Sequence, residues 1–421
     1  MGIENGARVV LLISNGPIKL KWTLEHTDYV DGEQFADRQV DGPFAYWHHV
    51  HHFEPLSQNS CYLNEIVEYE LPAGELGEMA GGGLVHRELE RLFKFRHRTL
   101  SQDCQAKAAY RVPPLKVLIS GSTGLIGSAL IPFLTTQGHS VTRLVRRGSQ
   151  VANHDENARV TWDPYGPELE AAAIEGFDAV VHLAGDNIGS ERWTPEKKKK
   201  LLQSRLKPTQ LLVHKLNQLE RPPAVLISAS AIGLYGDRGT ELLTEESSIG
   251  RGFLADVCDQ WEESSRAVDR QIRLVNVRTG VVLTPRGGAL QKMLLPFKMG
   301  AGGPIGSGKQ YFSWVDIDDV VGGIYHAIIT PQVFGPLNLV APNPVTNGEF
   351  TRVFGHVLER LAIMPMPAVA ARAMFGEMAD ECLLASQQVM PQKLMTTGYN
   401  FRNPELETSL RHVLGKFITT D

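Results

Sequence analysis

The chain is poor in cysteine, in long apolar runs and in charge of one sign. Its four cysteines, Cys61, Cys104, Cys258 and Cys382, stand far apart in 421 residues with no C-x-x-C pair. That scarcity argues against a disulfide framework and structural zinc, and it points to a reducing compartment. No apolar stretch approaches the ~20 residues of a membrane span, and Val9–Ile13 reads as a strand with no cleavage site behind it. Lys and Arg total 42 against 47 Asp and Glu, a formal net charge of −5, which leaves no broad basic field for nucleic acid. These absences predict a cytoplasmic protein with neither a membrane nor a nucleic acid as partner. What remains is 43% hydrophobic and 21% charged, a globular composition too long for one ordinary domain.

Glycine is concentrated where it carries information. Lys116–Ser120 reads as a buried strand that runs into Gly121, Gly124 and Gly127, and a helix pattern opens at Ser128. Strand, glycines and helix in that order are far more specific than a lone triplet. The first glycine allows a tight turn, the second lets backbone approach a pyrophosphate, and the third lets strand and helix pack closely. The helix start adds free N–H groups and a positive dipole end. Gly121, Ser122, Thr123, Gly124, Leu125, Ile126 and Gly127 are therefore candidates to hold a dinucleotide, against the alternative of a purely structural turn.

Residues 1–112 alternate polar and apolar in runs such as Lys19–Leu24 and Tyr62–Leu71, then turn helical over Leu84–Leu100, which predicts an α+β domain. Val112-Pro113-Pro114 is a stiff linker. From 115 to 345 strands alternate with helices, implying a parallel sheet. Strands are expected at 116–120, 140–145, 159–162, 178–183, 224–229 and 272–277, with helices at 125–137, 195–218 and 252–270. Residues 360–416 read as an appended helical segment broken at Pro391 and Pro404. The fold class is α/β: a Rossmann-type doubly wound parallel sheet with an N-terminal α+β domain and a small helical C-terminal extension.

The second strand ends in Arg146-Arg147, where a dinucleotide lacking the 2′-phosphate would want an acid. Two guanidiniums argue for NADP(H), because arginine pairs with phosphate through two hydrogen bonds. Surface arginines after a strand are the alternative. Asp163 is placed to receive the adenine amino group, and Leu183, Ala184 and Gly185 leave room for the dinucleotide across the strand ends.

With these pieces placed, residues 115–340 resemble an extended short-chain dehydrogenase/reductase of the NAD-dependent epimerase/dehydratase group. Ser120–Gly127, Asp178–Gly185, Ile227–Gly236 and Phe312–Val320 carry the resemblance. Gly252–Glu262, Gly302–Gln310 and the 364–415 tail are similar to its epimerase-like subgroup with a helical extension of unknown function. Residues 15–110 resemble the START/polyketide-cyclase-like family through Asp41–Phe53 and Phe93–His97. That likeness implies a helix-grip fold and an apolar ligand, although the fold's opening strand and helices have no counterpart in the sequence.

The short-chain group implies a Ser, a Tyr and a Lys, the Tyr exchanging the proton and the Lys lowering its pKa. Ser230 falls at the Ser position, but Phe253 and Val257 fall at the Tyr and Lys positions. Arg205 falls where relatives often carry Asn, and it joins the cofactor-binding candidates. Tyr235, just past the Ser230 strand end, is the leading substitute acid, ahead of Asp237, Asp256 and Cys258. A packing role for Tyr235 and a capping role for Ser230 stand beside those readings. Two functions follow: an NADP(H)-dependent oxidoreductase or epimerase acting on a small carbonyl or hydroxyl substrate, or an NADP(H)-binding sensor without rapid catalysis.

Other features give weaker expectations. His49 and His51 share one strand face and His48 and His52 the other, half a metal site at most with no acid nearby in sequence, so no metal is assigned. Lys197–Lys200 reads as a solvated helix face, with an anionic-ligand patch as the alternative. Gly306 and Lys309 are carried as substrate-side candidates. Arg278 meets either an anionic substrate group or a structural ion pair. Asp316 and Asp319 are expected to cap and orient the helix that follows.

Overall fold

The computed structural model describes residues 3–15, 18–58, 60–148, 158–166 and 169–417. The chain forms two compact units, Met1–Phe93 and Lys94–Asp421.

The first unit is an antiparallel meander of β1 (Arg8–Asn15), β2 (Ile18–Val30), β3 (Gln34–Asp41), β4 (Tyr46–Ser57) and β5 (Ser60–Glu70), in that spatial order. The period of two seen in the sequence puts Trp47, His49 and His51 of β4 on its buried face. Trp22, Leu24 and Trp47 form a small apolar cluster with Phe44 and Leu89 against it. The helix-grip resemblance leaves no counterpart for an opening strand, yet β1 pairs with β2 from Arg8↔Glu25 to Asn15↔Ile18. Among the described residues no helix precedes Gly74.

Helix α1 (Gly83–Tyr110) spans the boundary between the units. Its later turns belong to the second unit: Tyr110 Oη lies 2.9 Å from His326 Nδ1, and Asp103 O accepts from Gln137 Nε2 at 2.9 Å. The boundary therefore falls at Phe93, earlier than the 112 expected, because a continuous helix gives no local sequence break.

The second unit is built on β6 (Lys116–Ser120), α2 (Leu125–Thr136), β7 (Ser140–Arg146), β8 (Ala158–Trp162), β9 (Ala179–His182), α3 (Pro195–Leu216), β10 (Val225–Ala231), α4 (Phe253–Arg266), β11 (Arg273–Thr279), α5 (Gly288–Lys298), α6 (Ile317–Ile329), β12 (Gly335–Leu339) and α7 (Asn347–Leu358). The sheet order is β12-β11-β10-β9-β6-β7-β8, and every pairing is parallel. Strand order reverses between β6 and β9, the place where such sheets receive ligands. Val117 and Ile119 face a core shared with α2 and α6, whereas Leu118 faces one shared with α3. Burial on both faces explains why these strands read as unbroken apolar runs.

The tail forms α8 (Ala368–Phe375), α9 (Gln392–Thr396) and α10 (Leu406–Val413). Leu406, Leu410 and Val413 share a core with Phe350 and Phe354 of α7. Asp316 caps α6 by accepting from Asp319 N at 2.8 Å, as the sequence suggests. Both carboxylates also hold the tail: Asp316 accepts from Asn403 Nδ2 at 2.9 Å, and Asp319 from Tyr399 Oη at 2.8 Å. Burial, reinforced by the neighbouring carboxylates Asp319 and Asp318, lifts Asp316 well above the usual carboxylate range. No described helix is long and apolar enough to cross a membrane.

Candidate functional site

The β6–α2 turn shows why glycine stands there. Gly121 has φ +68°, and a Cβ on it would lie 2.7 Å from the Leu183 carbonyl carbon and oxygen. A Cβ on Gly127 would strike Gly121 O and approach Ser122 Cα to 2.8 Å. Gly124 is different: it is the N-cap of α2 with φ −75°, and a Cβ there would meet only Gly121 O, at 3.2 Å. Thr123 and Gly124 are exposed at the apex, while Ser122 and Gly127 are buried beneath it. The first-turn amides of α2 have no intrahelical acceptor, so the turn presents several N–H donors at a positive helix end.

The other cofactor candidates lie along the same strand ends. Arg146 ends β7, and both it and Arg147 are exposed. Asp163 follows β8 and accepts from Tyr165 N at 3.0 Å, so one of its oxygens already closes a local turn. Leu183 N donates to Ser120 O at 3.3 Å, which sets the Leu183–Gly185 strip beside the glycine turn. Arg205 backs that strip, its Nη2 donating to Asp186 O at 3.1 Å and its guanidinium 5.0 Å from the Trp261 ring centroid. Arg143 was not singled out from sequence, yet it donates to Ser122 O at 3.3 Å and braces the turn. Only its place in the strand that leads to Arg146, three residues ahead, could have hinted at this.

The expected catalytic groups are brought together, but inside the protein. Ser230 pairs across the sheet with Arg278 and donates to Glu262 Oε1 at 2.7 Å. Arg278 grips Glu262 with Nε at 2.8 Å and Nη2 at 3.0 Å, and its Nη1 donates to Tyr235 Oη at 2.9 Å. Tyr235 is 0% exposed and donates in turn to Asn338 Oδ1 at 2.7 Å. Burial raises the Tyr235 hydroxyl above its ordinary range despite the opposing Arg278 charge. The alternation of β10 turns the half-buried Ala229 and Ala231, which have no hydroxyl, to the face opposite Ser230. Geometry thus gives Ser230, Tyr235 and Arg278 to one buried network, and for Arg278 the structural ion pair is the reading that holds.

The remaining proton-handling candidates fare no better. Phe253 packs on Trp193 with ring centroids 5.3 Å apart and lies 4.4 Å from Lys198 Nζ, while Val257 is buried. Burial pushes the Cys258 thiol up to about 12. Asp237 is occupied by Gly239 N and Ser386 N, at 3.2 and 3.1 Å. Asp256 is exposed on α4. The lysine run is not uniformly solvated: Lys197 is buried, donating to Asp186 Oδ2 at 2.7 Å and Ser190 Oγ at 2.8 Å. The loop 186–191 folds over it, which no local pattern foretold. Gly306 N donates to Met366 O at 2.9 Å, so its turn anchors the start of the tail, and Lys309 is exposed beside it.

Behind the glycine turn runs a buried polar chain. Ser120 Oγ lies 2.6 Å from His182 Nδ1, His182 Nε2 lies 3.1 Å from Thr209 Oγ1, and Thr209 Oγ1 accepts from Trp261 Nε1 at 3.1 Å. Burial lowers His182 from 6.5 to about 4. A histidine lowered on folding contributes stability that is complete above its unfolded pKa and is lost as pH falls through its folded one. Unfolding free energy should therefore drop between pH 6.5 and about 4, His182 contributing up to roughly 3 kcal/mol of the change. Denaturant titrations across that range should show a flatter slope for His182→Gln; an unchanged slope contradicts the assignment.

A broad groove of about 790 Å³ lies between α3 and α4, lined by Gln210, His214, Asp259 and Glu263 among others, and draws on none of the strand-end residues. A small pocket of about 30 Å³ lined by Ile232, Val281, Gln310, Phe312 and Cys382 adjoins the tail.

Comparison with known proteins agrees with this arrangement. Residues 117–339 match the NAD dependent epimerase/dehydratase family, and residues 366–413 match a domain of unknown function, DUF1731. The epimerase family protein Mb2239 of Mycobacterium bovis is 42% identical over 295 residues, 70% of this chain and 96% of that protein. Human epimerase family protein SDR39U1 is 38% identical over 303 residues, 71% of this chain and 100% of its own. A crystal structure of human SDR39U1 (isoform 2) with NADPH has a TM-score of 0.66 at 37% identity, covering 72% of this chain and 100% of that one. The nucleoside-diphosphate sugar epimerase of Corynebacterium glutamicum reaches 0.79 at 32% identity over 99% of this chain and 82% of its own, so the match extends over both units.

Proposed function

The chain belongs to the NAD dependent epimerase/dehydratase family, and from that premise we propose that it binds NADP(H) and presents the nicotinamide to a small carbonyl or hydroxyl compound. The observation that carries this reading is the Gly121 turn, whose positive φ and lack of room for a Cβ beside the Leu183 carbonyl bring bare backbone and the start of α2 to the strand ends. The human relative crystallised with NADPH supports it. In this reading the amides of 121–127 hold the pyrophosphate, Arg146 and Arg147 hold the 2′-phosphate, Asp163 borders the adenine, and Leu183–Gly185 line the path with Arg205 behind them. The bound cofactor supplies or accepts a hydride. Ser230 and Tyr235 hold the strand end in shape through Glu262 and Arg278 without touching the substrate, and the proton is exchanged with water.

Charge reversal at the second strand end tests the cofactor choice. Arg146→Glu with Arg147→Glu should weaken NADPH binding roughly 10–100-fold, the worth of charge-assisted phosphate contacts, while NADH binding changes little. Nicotinamide fluorescence titration reads both, and an undiminished NADPH preference contradicts the assignment.

A second reading, a binding or sensor module without rapid catalysis, is favoured by Phe253 and Val257 at the positions of the missing pair. NADPH consumption followed against a panel of small aldehydes and ketones separates the two. Turnover on any member supports the oxidoreductase; tight binding with no turnover supports the sensor. The sheet and following helix of the first unit support the helix-grip likeness. Its buried face, however, sets Asp37, His49, His51 and Glu65 beside Trp22 and Trp47, so an apolar ligand is not assigned there. Cytoplasmic placement remains the proposal, supported by four cysteines that form no disulfide.

A further inference from the structure

Strand register in the first unit assembles ionisable groups that lie far apart in sequence. Asp37 of β3 stands opposite His49 of β4 and His26 of β2, and Glu65 of β5 stands opposite His51. His49 and His51 project to the same buried face, 3% and 5% exposed, with ring centroids 3.9 Å apart. Asp37 Oδ2 is 3.2 Å from His51 Nε2 and 4.0 Å from His49 Nδ1. On the other side of the two rings, Glu65 Oε1 is 3.0 Å from His51 Nδ1 and 3.2 Å from His49 Nε2. His26 Nδ1 sits 2.7 Å from the second Asp37 oxygen. Phe35 stacks on His51 at 4.1 Å and Phe93 meets His49 edge-on at 5.2 Å, closing the cluster with apolar walls.

We propose that Asp37, His49 and His51 bind a divalent transition-metal ion, with Glu65 and His26 orienting the ligands. One oxygen and two imidazole nitrogens come from these residues, and candidate ligand atoms of the three lie within 4.8 Å of one another. Ligands about 2.0–2.1 Å from a tetrahedral ion stand roughly 3.3 Å apart, so the 3.2 and 4.0 Å separations need only a small closing movement. Metal-bound histidines usually hand their other nitrogen to a carboxylate, and Glu65 stands there for both rings. The charge also balances, because one dication offsets two buried carboxylates beside neutral imidazoles. Two imidazoles and a carboxylate suit Zn²⁺ or Fe²⁺ rather than Mg²⁺ or Ca²⁺, and open positions would remain for water or a small anionic ligand. The inference is independent of the NADP(H) reading, since none of these residues belongs to the second unit.

Full-length protein stripped with chelator and titrated calorimetrically with ZnCl₂ should take up one equivalent with micromolar or tighter affinity. Co²⁺ in its place should give visible absorption of the intensity expected for four-coordinate N/O ligation. Asp37→Asn and His51→Gln should each weaken Zn²⁺ at least 100-fold, and Glu65→Gln 10–100-fold, while the near-ultraviolet circular dichroism of the packed Trp22 and Trp47 rings reports that the first unit of each variant remains folded. If a variant fails to fold, wild-type stoichiometry and the Co²⁺ spectrum still decide. No saturable uptake by the wild type overturns the proposal. So does uptake unchanged in Asp37→Asn and His51→Gln but lost on replacing the half-buried His52 and the exposed His86.

Discussion

Gly121→Ala is expected to lose at least 100-fold in NADPH affinity. The residue adopts φ +68°, which an alanine takes up only at a cost of about 1–3 kcal/mol. Its new methyl would also stand 2.7 Å from the Leu183 carbonyl, so either the turn or the neighbouring strip must move. Both are cofactor-binding candidates, so either movement disturbs the same ligand. Gly124→Ala sharpens the test. Its φ of −75° suits any residue and its Cβ meets only Gly121 O, at 3.2 Å, so the folded turn should accept it after a shift of a few tenths of an ångström. A ligand lying against that exposed backbone should not. Gly124→Ala should therefore weaken NADPH while lowering the melting temperature far less than Gly121→Ala does. A purely structural turn predicts no such separation between binding and stability.

Arg278→Met is expected to destabilise the fold by about 3–5 kcal/mol, because it leaves the buried Glu262 carboxylate with only Ser230 Oγ and the more distant Arg266, 3.8 Å away. The side chains of Arg278 and Glu262 are 7% and 2% exposed, so water gives little screening. Although burial alone would lower the Arg278 guanidinium, its Glu262 hydrogen bonds raise it above its ordinary value. Tyr235 would lose its Arg278 donor in the same step, while Ser230 would keep its bond to Glu262. Chemical denaturation should show the loss, and adding Glu262→Met to it should restore a large part, since two apolar side chains leave no stranded charge. Tyr235→Phe gives the complementary result. If Tyr235 positions rather than transfers a proton, the variant should lower stability by about 1 kcal/mol and retain NADPH binding and any turnover. Turnover abolished with stability unchanged would return Tyr235 to the chemistry.

The parts legible in the sequence are those with local causes. The Gly121 turn, the doubly buried strands and the α6 cap each depend on residues within one element and its flanks. The helix from Gly83 to Tyr110 hid the boundary between units because its local pattern does not change where its packing does. Lys197 looked solvated because its partner Asp186 lies in a preceding loop. The Ser230–Glu262–Arg278–Tyr235 network and the Asp37–His49–His51–Glu65 cluster were invisible for the same reason. Each is assembled by packing or strand register between distant segments, and register is a long-range property that composition and spacing do not encode. His182 likewise read as one more strand residue, although it sits within a buried chain running from Ser120 to Trp261.

The account turns on a pyrophosphate held by the 121–127 amides and a 2′-phosphate held by Arg146 and Arg147. Calorimetric titration of the full-length protein with NADPH and, separately, NADH tests that directly. The account predicts one NADPH per chain, bound at least 10-fold more tightly than NADH. No heat from either nucleotide, or tighter binding of NADH, would contradict it.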